Sequence, residues 1–375
     1  MKTSAANNLF LALLLVPLMA DATTYYVDFL SGNDSYNGLS PSTPFKHSPG
    51  DVNAGFTAKT TVLNTGDVII LKGGVKYKGR INVFTSGLTL DGNTSGNFGK
   101  GKAIIDGSES FVSWQRCSLP GVAASLYCTD LPSNADPYAL NIYENEKRAI
   151  IAQSPQPSNY LQTDNLSEYY SVPPANLSSG TINDPNNLSS LSSDWNSAIL
   201  SLWGGNNRTY FLKIKTFNGN SITYDPTSVT TYTDRPTRYA VLNLPAALDN
   251  PGEYYVDVPN KKIYYYPFGN TPQDVTYSLR DIGIGIQANN VTVRGFVVEK
   301  QTGGVGQWRK GMGIYAAGIS PTNKITGTKI IDNEIRYTLS IEHASAIQTD
   351  WADNTLIANN YIHHHHHTRG IRAQY

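Results

Sequence analysis

Side chains able to take part in acid–base chemistry or to bind a polar ligand recur in three loops of the C-terminal quarter. In chain order they are Trp308, Arg309 and Lys310, then Glu342 and His343, then His363 and His365 of a histidine run, followed by Arg369. The apolar segments after these loops carry Tyr315, then Gln348 and Asp350, then Arg372. Imidazoles and carboxylates transfer protons, and arginine binds carboxylates. These residues would form a binding or catalytic surface if the fold brought the three loops side by side.

An imperfect internal repeat provides that arrangement. Four isoleucines recur at steps of about 24 to 33 residues, a spacing typical of stacked repeat units: Ile284, Ile314, Ile347 and Ile371. Between them, residues 291–299 align with 328–336 and 355–363. Because adjacent strands lie about 4.8 Å apart, outward residues of successive units should form one patch.

Each repeat unit reads as short strands joined by a bend. In one unit Ile330, Asn333 and Ile335 are expected to point inward, and Lys329, Ile331 and Arg336 outward, with the bend at Asp332. Asn333 and Asn360 share a register, where stacked amides can satisfy inward backbone groups. A leucine-rich repeat would need a helix in every unit, and none is indicated. We therefore predict an all-β fold, a right-handed parallel β-helix with a β-rich insertion lobe.

The termini and composition set the organisation of the chain. Residues 1–22 combine Lys2, an apolar run and a small-residue cleavage pattern, which predicts a signal peptide and a secreted, extracellular or periplasmic, protein. We then expect an N-terminal cap and first turns at 23–107, the insertion or second lobe at 108–280, and β-helix turns at 281–375. The chain ends just after Gly370 and Ile371 begin a strand, which indicates truncation, and a full-length monomer is expected.

The balance of basic and acidic residues limits the classes of partner that the chain could bind. The chain has 29 Lys and Arg residues and 29 Asp and Glu residues, so it lacks the basic surface typical of proteins that bind nucleic acid. After the leader no apolar stretch is long enough to span a membrane. The two cysteines, Cys117 and Cys128, are close in an exported chain and predict a local disulfide.

The N-terminal segment carries a family resemblance. Tyr25-Tyr-Val-Asp, Ser31-Gly-Asn-Asp-Ser and Asn37-Gly-Leu-Ser-Pro-Ser-Thr-Pro-Phe-Lys, followed by Gly66-Asp-Val-Ile and Leu71-Lys-Gly-Gly, resemble the opening of secreted right-handed β-helix proteins, which include pectate and alginate lyases. The repeats after residue 291 look like the β-helix turns of that family, and residues 194–267 resemble its β-rich insertion. The resemblance implies a protein that acts on polysaccharide.

Three activities remain open at this stage. A lyase acting on an acidic polysaccharide by β-elimination is favoured because basic residues predominate, with His343 as the base and Arg372 neutralising the uronate carboxylate. A glycoside hydrolase would use paired carboxyls, with Glu342 and Asp350 as the candidates. A non-catalytic glycan-binding protein would need neither.

The remaining candidates fill supporting roles. Substrate-binding residues on the same flank would be Trp308, Arg309, Lys310, Tyr315, Gln348, His363, His365 and Arg369. The alternative for His363 is structural, because it aligns with Glu299 and Arg336, which can pair across strands. No specific motif identifies a metal site, although calcium is compatible with the family. Arg80, in the N-terminal region, is expected to lie outside the site.

Overall fold

The computed structural model describes residues 22–122, 125–158, 165–191, 195–205, 208–227, 229–304, 310–340, 344–365 and 369–374. Within these ranges the fold is all-β. The helices are two short α-helices, Phe56–Thr60 and Pro185–Leu188, and the three 3-10 turns Leu166–Glu168, Pro174–Asn176 and Pro245–Ala247. No helix in the described part of the chain is long and apolar enough to cross a membrane.

Three parallel sheets contain both ends of the described chain. In order of pairing, sheet 1 comprises Thr24–Val27, Val68–Leu71, Thr89–Asp91, Thr292–Arg294, Lys329–Ile331 and Leu356–Ala358. Sheet 2 comprises Ile81–Val83, Ile282–Ile286, Met312–Ala317, Ser345–Asp350 and Arg369–Gln374. Sheet 3 comprises Lys76–Tyr77, Ala103–Asp106, Phe296–Glu299, Glu334–Arg336 and Tyr361–His363. Two short parallel pairs lie between them, Thr302–Gly303 with Leu339–Ser340 and Ile325–Thr326 with Ala352–Asp353.

The chain visits the three sheets in a repeating order. From residue 282 onward each pass adds one strand to sheet 2, then to sheet 1, then to sheet 3. The pairing confirms the repeat alignment: Ile314 lies opposite Ile284 and Ile347, and Ile347 opposite Ile371. Arg336 likewise lies between Glu299 and His363.

One apolar core is enclosed by these sheets. The side chains of Ile284, Ile314, Ile330, Ile335 and Ile347 are fully buried in one cluster with residues from all three sheets. Aliphatic β-branched residues suit this position because they pack well on a pleated surface. The inward and outward positions predicted for the unit containing Ile330 and Ile335 are confirmed by this burial.

The predicted asparagine stack is also confirmed. Asn333, which is 1 % exposed, donates from Nδ2 to the Val293 carbonyl at 3.1 Å and to Asn360 Oδ1 at 3.0 Å, and its Oδ1 accepts the Phe296 N–H at 3.0 Å. Asn360 in turn donates to the Ile330 carbonyl at 2.8 Å. The two amides thus satisfy backbone groups at the bend, where Asp332 has a φ of 59°.

A region of mainly antiparallel sheets, 108–278, interrupts the parallel strands. Its four sheets are, in order of pairing: Lys147–Arg148, Ile142–Glu144, Val275–Ser278 and Ser108–Ser110; Ile150–Ile151, Glu253–Asp257, Lys262–Tyr266, Leu126–Asp130 and Gln115–Cys117; Gln153–Ser154, Thr237–Leu242, Ile199–Gly204 and Arg208–Lys213, with Tyr170–Val172 beside Thr237–Leu242; and Leu177–Ser178, Thr181–Asn183, Ser221–Thr223 and Thr216–Phe217. The second of these sheets contains a tyrosine-rich hairpin, with Tyr255 opposite Tyr264.

The antiparallel region leaves and rejoins the parallel strands at one point. The Gly107 carbonyl accepts the N–H groups of Leu279 at 2.9 Å and Arg280 at 3.0 Å. The region also contacts sheet 3, because Glu146 in a hairpin turn forms ion pairs with Lys76 and Lys300. Sheet 2 and the antiparallel region therefore meet near residues 279–281.

Candidate functional site

The outer face of sheet 2 aligns several of the residues singled out in the sequence. Pairing between adjacent strands places Asn82, Gly285, Tyr315, Gln348 and Arg372 in one line across the sheet. At about 4.8 Å per strand, this line is about 19 Å long. Tyr315, Gln348 and Arg372 therefore do lie on one surface.

Asp350 lies at the buried part of this surface. Its Oδ2 accepts hydrogen bonds from the Tyr315 hydroxyl at 3.0 Å and from Gln348 Nε2 at 2.9 Å. Asp350 and Gln348 are fully buried, whereas Tyr315 and Arg372 are partly exposed. In this arrangement Asp350 holds the Tyr315 hydroxyl in place, and Tyr315 and Arg372 can meet a ligand directly. Arg372 also donates to Gln374 Oε1 at 2.6 Å.

A cavity of about 460 Å³ opens where the strands of sheet 2 begin, against the antiparallel region. Its polar lining includes Asn53, Arg80, Asn134, Asp136, Ser278, Arg280, Asp281, Thr302 and Lys310. These residues come from the antiparallel region and from segments next to the parallel strands, including those just before sheet 2 strands. Charged groups of both signs and several amide and hydroxyl groups thus surround one open space.

Arg80 is the central cation of this cavity. Its Nε donates to Asn82 Oδ1 at 2.8 Å, and its NH1 lies 3.7 Å from Asp281 Oδ1. A Cβ on Gly285 would lie 3.4 Å from Arg80 NH2, so the guanidinium lies across the backbone of Gly285. About a third of the Arg80 and Asp281 side chains is exposed, which leaves both groups accessible from the cavity.

The other arginine of the cavity is held more tightly. Arg280 donates to the Ser108 carbonyl at 3.0 Å and forms an ion pair with Glu109. Lys310, the one described residue of the first predicted loop, also lines the cavity. Of the predicted site residues that the structure describes, only Lys310 lines this cavity.

Asp51 lies next to this wall and is partly buried. Its neighbours Val52 and Asn53 line the cavity, while Asp51 itself pairs with Ile81 in a β-bridge and lies against the backbone of Gly79. Burial raises the pKa of Asp51 to about 6, against the lowering effects of the Asn53 N–H and of the nearby charge of Arg280. Asp51 is not among the residues that line the cavity.

His363 belongs to sheet 3 and not to the face of sheet 2. Its Nε2 lies 3.3 Å from Glu334 Oε1, and its neighbour in register, Arg336, pairs with the fully buried Glu299 at 2.6 Å. The structural alternative for this stack is therefore confirmed for Glu299 and Arg336. The structure does not bring His363 together with Arg372.

The remaining predicted residues divide into two groups. His365 is partly buried, and Arg369 is an exposed residue at the start of the last sheet 2 strand. Trp308, Arg309, Glu342 and His343 lie outside the described residues, as do His366 and His367. The predicted signal peptide also lies outside them, except for Ala22.

The cysteines lie on adjacent antiparallel strands, Gln115–Cys117 and Leu126–Asp130. Both are unbonded thiols in the structure. Burial, together with the neighbouring Cys128 thiol, raises the pKa of Cys117 to about 12. The disulfide stays a prediction. No cluster of three or more His, Cys, Asp or Glu side chains suited to a metal ion occurs among the described residues.

Sequence reasoning missed Arg80, Asp136 and Asp281. A signal for Asp281 is present in the sequence, because residues 279–281 precede the Ile284 strand just as Lys310 precedes the Ile314 strand. For Arg80 the repeat gave no signal, since its strand, Ile81–Val83, lacks the glycine–isoleucine pattern.

Comparisons with known proteins bear on the fold. No family model matches the chain, and a search of curated proteins found no match. Among solved structures, the chain is similar to one described as a glycoside hydrolase, with a TM-score of 0.52 and 12 % identity over 94 % of this chain and 86 % of that one. A structure of XylC in complex with xylose gives a TM-score of 0.42 and 15 % identity over 94 % of this chain and 56 % of the other. The first similarity supports an all-β fold of this general architecture.

Proposed function

We propose that the protein is a secreted, carbohydrate-active protein whose three parallel sheets form a right-handed parallel β-helix. The repeating order of the sheets and the shared core support the fold. The leader at residues 1–22 supports secretion. The glycoside hydrolase that shares the fold supports carbohydrate as the ligand, although the same fold can carry different functions, so the site must carry the argument.

The observation that carries the proposal is the pairing of Arg80 with Asp281 in the cavity. A partly exposed guanidinium and a partly exposed carboxylate, 3.7 Å apart, offer several donors and several acceptors at one point. Sugar hydroxyls both donate and accept, so this pair can bind them in fixed orientations. Amide and hydroxyl groups from Asn53, Asn134 and Thr302 surround the pair.

Hydrolysis of a glycan is the reaction that the cavity supports best. Two carboxyl side chains line the cavity. Asp136 comes from the antiparallel region, and Asp281 comes from the segment just before the sheet 2 strand Ile282–Ile286. Glycoside hydrolases use such a pair, about 5–5.5 Å apart when configuration is retained and about 6.5–9.5 Å apart when it is inverted. In this role one carboxyl would protonate the leaving oxygen and the other would act as nucleophile or base.

β-Elimination of an acidic polysaccharide is the second candidate. Arg80, Arg280 and Lys310 line the same cavity and could neutralise a uronate carboxylate, which acidifies the neighbouring proton. Arg372 could do the same at the other end of sheet 2, where His343 would be the base. The two locations are separate, because the register from Asn82 to Arg372 covers about 19 Å.

The test is an assay of the secreted protein on neutral and uronate-containing glycans. Hydrolysis produces new reducing ends without ultraviolet absorbance, whereas β-elimination produces an unsaturated, absorbing sugar. We expect reducing ends alone, lost in Asp281→Asn and kept in Asp353→Asn, a partly exposed carboxylate that pairs with Lys324 at 3.1 Å. An absorbing product would favour elimination, and absence of both product and binding on every glycan would overturn the proposal.

A further inference from the structure

The first strand of sheet 2 continues past the cavity to an exposed aromatic ring. Ile81 and Val83 are 1 % and 2 % exposed and point into the core, so the alternating residues Arg80, Asn82 and Phe84 face outward. Phe84 is 67 % exposed. An isolated exposed apolar residue is common, but this one lies in line with the two polar residues that already form the candidate site.

The neighbouring strand places an amide side chain beside Phe84. Ile286 lies opposite Val83, and the N–H of Gln287 donates to the Val83 carbonyl at 2.9 Å, so Gln287 continues the register next to Phe84. Gln287 is exposed. An exposed aromatic ring and an exposed amide therefore lie in register on the same outer face.

The distance suits an extended ligand. Phe84 follows Arg80 by four positions, which corresponds to about 13 Å along a strand. A single sugar bound at Arg80 and Asp281 would not reach that far, but a longer glycan could. The strand Ile81–Val83 between the two positions is held by its pairing with Ile282–Ile286, which limits changes in their spacing.

We propose that Phe84 and Gln287 form a second sugar subsite, in which the ring stacks on the apolar face of a pyranose while the amide binds its hydroxyls. This inference rests on the proposed carbohydrate-active function and extends it to substrates of several sugar units. Stacking covers the exposed ring and gains free energy in proportion to the apolar area removed from water. The subsite therefore selects for chain length rather than for a single sugar.

The test compares Phe84→Ala with the unaltered protein on two series of oligosaccharides of increasing length, neutral xylo-oligosaccharides and uronate-containing oligogalacturonates. Binding of the long oligosaccharides should weaken about tenfold, as expected when about 1.4 kcal/mol is lost. Binding of the shortest ligand should not change. Phe84→Trp should keep the length dependence. The matched control is Phe56→Ala, since Phe56 is 77 % exposed but lies on the helix Phe56–Thr60.

The outcomes separate the two proposals. If Phe84→Ala binds every length as the unaltered protein does, while Arg80→Ala weakens all lengths, the subsite is wrong and the proposed function stands. If the unaltered protein binds no glycan, both fail. Equal weakening for short and long ligands would also overturn the subsite, because it would show that Phe84 acts on the fold or on the first sugar.

Discussion

Glu146 Oε2 lies 2.8 Å from the Nζ of Lys300, a lysine with no exposed surface, and so joins the antiparallel region to sheet 3. Lys76 binds the other carboxylate oxygen of Glu146, and Glu299 lies 3.7 Å from the Lys300 ammonium. A buried ammonium is costly unless it is paired. Glu146 therefore stabilises the junction of the two parts mainly by compensating Lys300.

Replacing Glu146 by Gln should lower the free energy of unfolding by about 2 kcal/mol, below the range for a fully buried pair because Glu146 is partly exposed. Burial raises the pKa of Glu146, but hydrogen bonds from Lys300 and Lys76 outweigh it, so the folded pKa lies below the ordinary value of 4.5. This contribution is present above pH 4.5 and is lost as the pH falls through the folded pKa. Denaturant titrations at several pH values should show less acid dependence in the variant.

The control for that measurement is Asp225→Asn, since the Asp225 pairing with Lys215 at 3.7 Å is exposed on both sides. Exposed pairs contribute little, so its denaturation midpoint should stay close to that of the unaltered protein. Equal losses in the two variants would contradict the role assigned to Glu146.

Asn333→Ala should destabilise the protein by about 2–4 kcal/mol. The change removes three hydrogen bonds of the side chain and leaves the buried N–H of Phe296 without its partner. Asn97→Ala, in an exposed turn, serves as the comparison and should change stability by less than about 0.5 kcal/mol. Chemical denaturation of both variants provides the measurement, and a stable Asn333→Ala would show that the amide stack is dispensable.

Arg372→Ala should weaken binding of a uronate oligosaccharide about tenfold or more if the far end of sheet 2 takes part in glycan binding. A hydrogen bond to a charged group is worth about 1.5–3 kcal/mol. Lys329→Ala removes an exposed cation from sheet 1 and should have no effect. Titration of both variants with the same ligand decides the matter, and unchanged affinity in Arg372→Ala would confine the site to the cavity.

Cys117 and Cys128 should be joined in protein recovered from an oxidising compartment. Their strands are paired with Gln115 opposite Cys128 and Cys117 opposite Leu126, which makes the two cysteines diagonal neighbours. The short loop between them limits the gain from the bond to about 3 kcal/mol. Thiol labelling without reductant, read by mass spectrometry, should modify neither residue. Two labels on the folded protein would rule the disulfide out.

The repeat in the sequence predicted the parallel pairing and the inward residues because both follow from a period of two along each strand. Ile284, Ile314, Ile347 and Ile371 pair as aligned. The same period assigned Asp350 correctly to the outer face, but it cannot show what covers that face. Asp350 is fully buried for this reason, although its position in the strand was predicted.

The cavity could not be predicted from the repeat, because it depends on residues that are distant in the sequence. Arg80 and Asp281 come together because the strands that follow them pair with each other, although the whole antiparallel region lies between those strands in the sequence. Asp136 lines the cavity from within that region, whose sequence contains no internal repeat. Local patterns can predict a strand but not which distant strand becomes its neighbour.

The hydrogen bonds from Leu279 and Arg280 to the Gly107 carbonyl close the antiparallel region at its base. A segment whose ends meet in this way can be exchanged for another without altering the path of the parallel strands. Since Asn134, Asp136 and Ala139 form one wall of the cavity, such an exchange would replace that wall while Arg80 and Asp281 stayed in place. Arg80 and Asp281 would remain the same while the antiparallel region changes. Evolution or design could therefore alter which ligand the cavity prefers by changing that region alone.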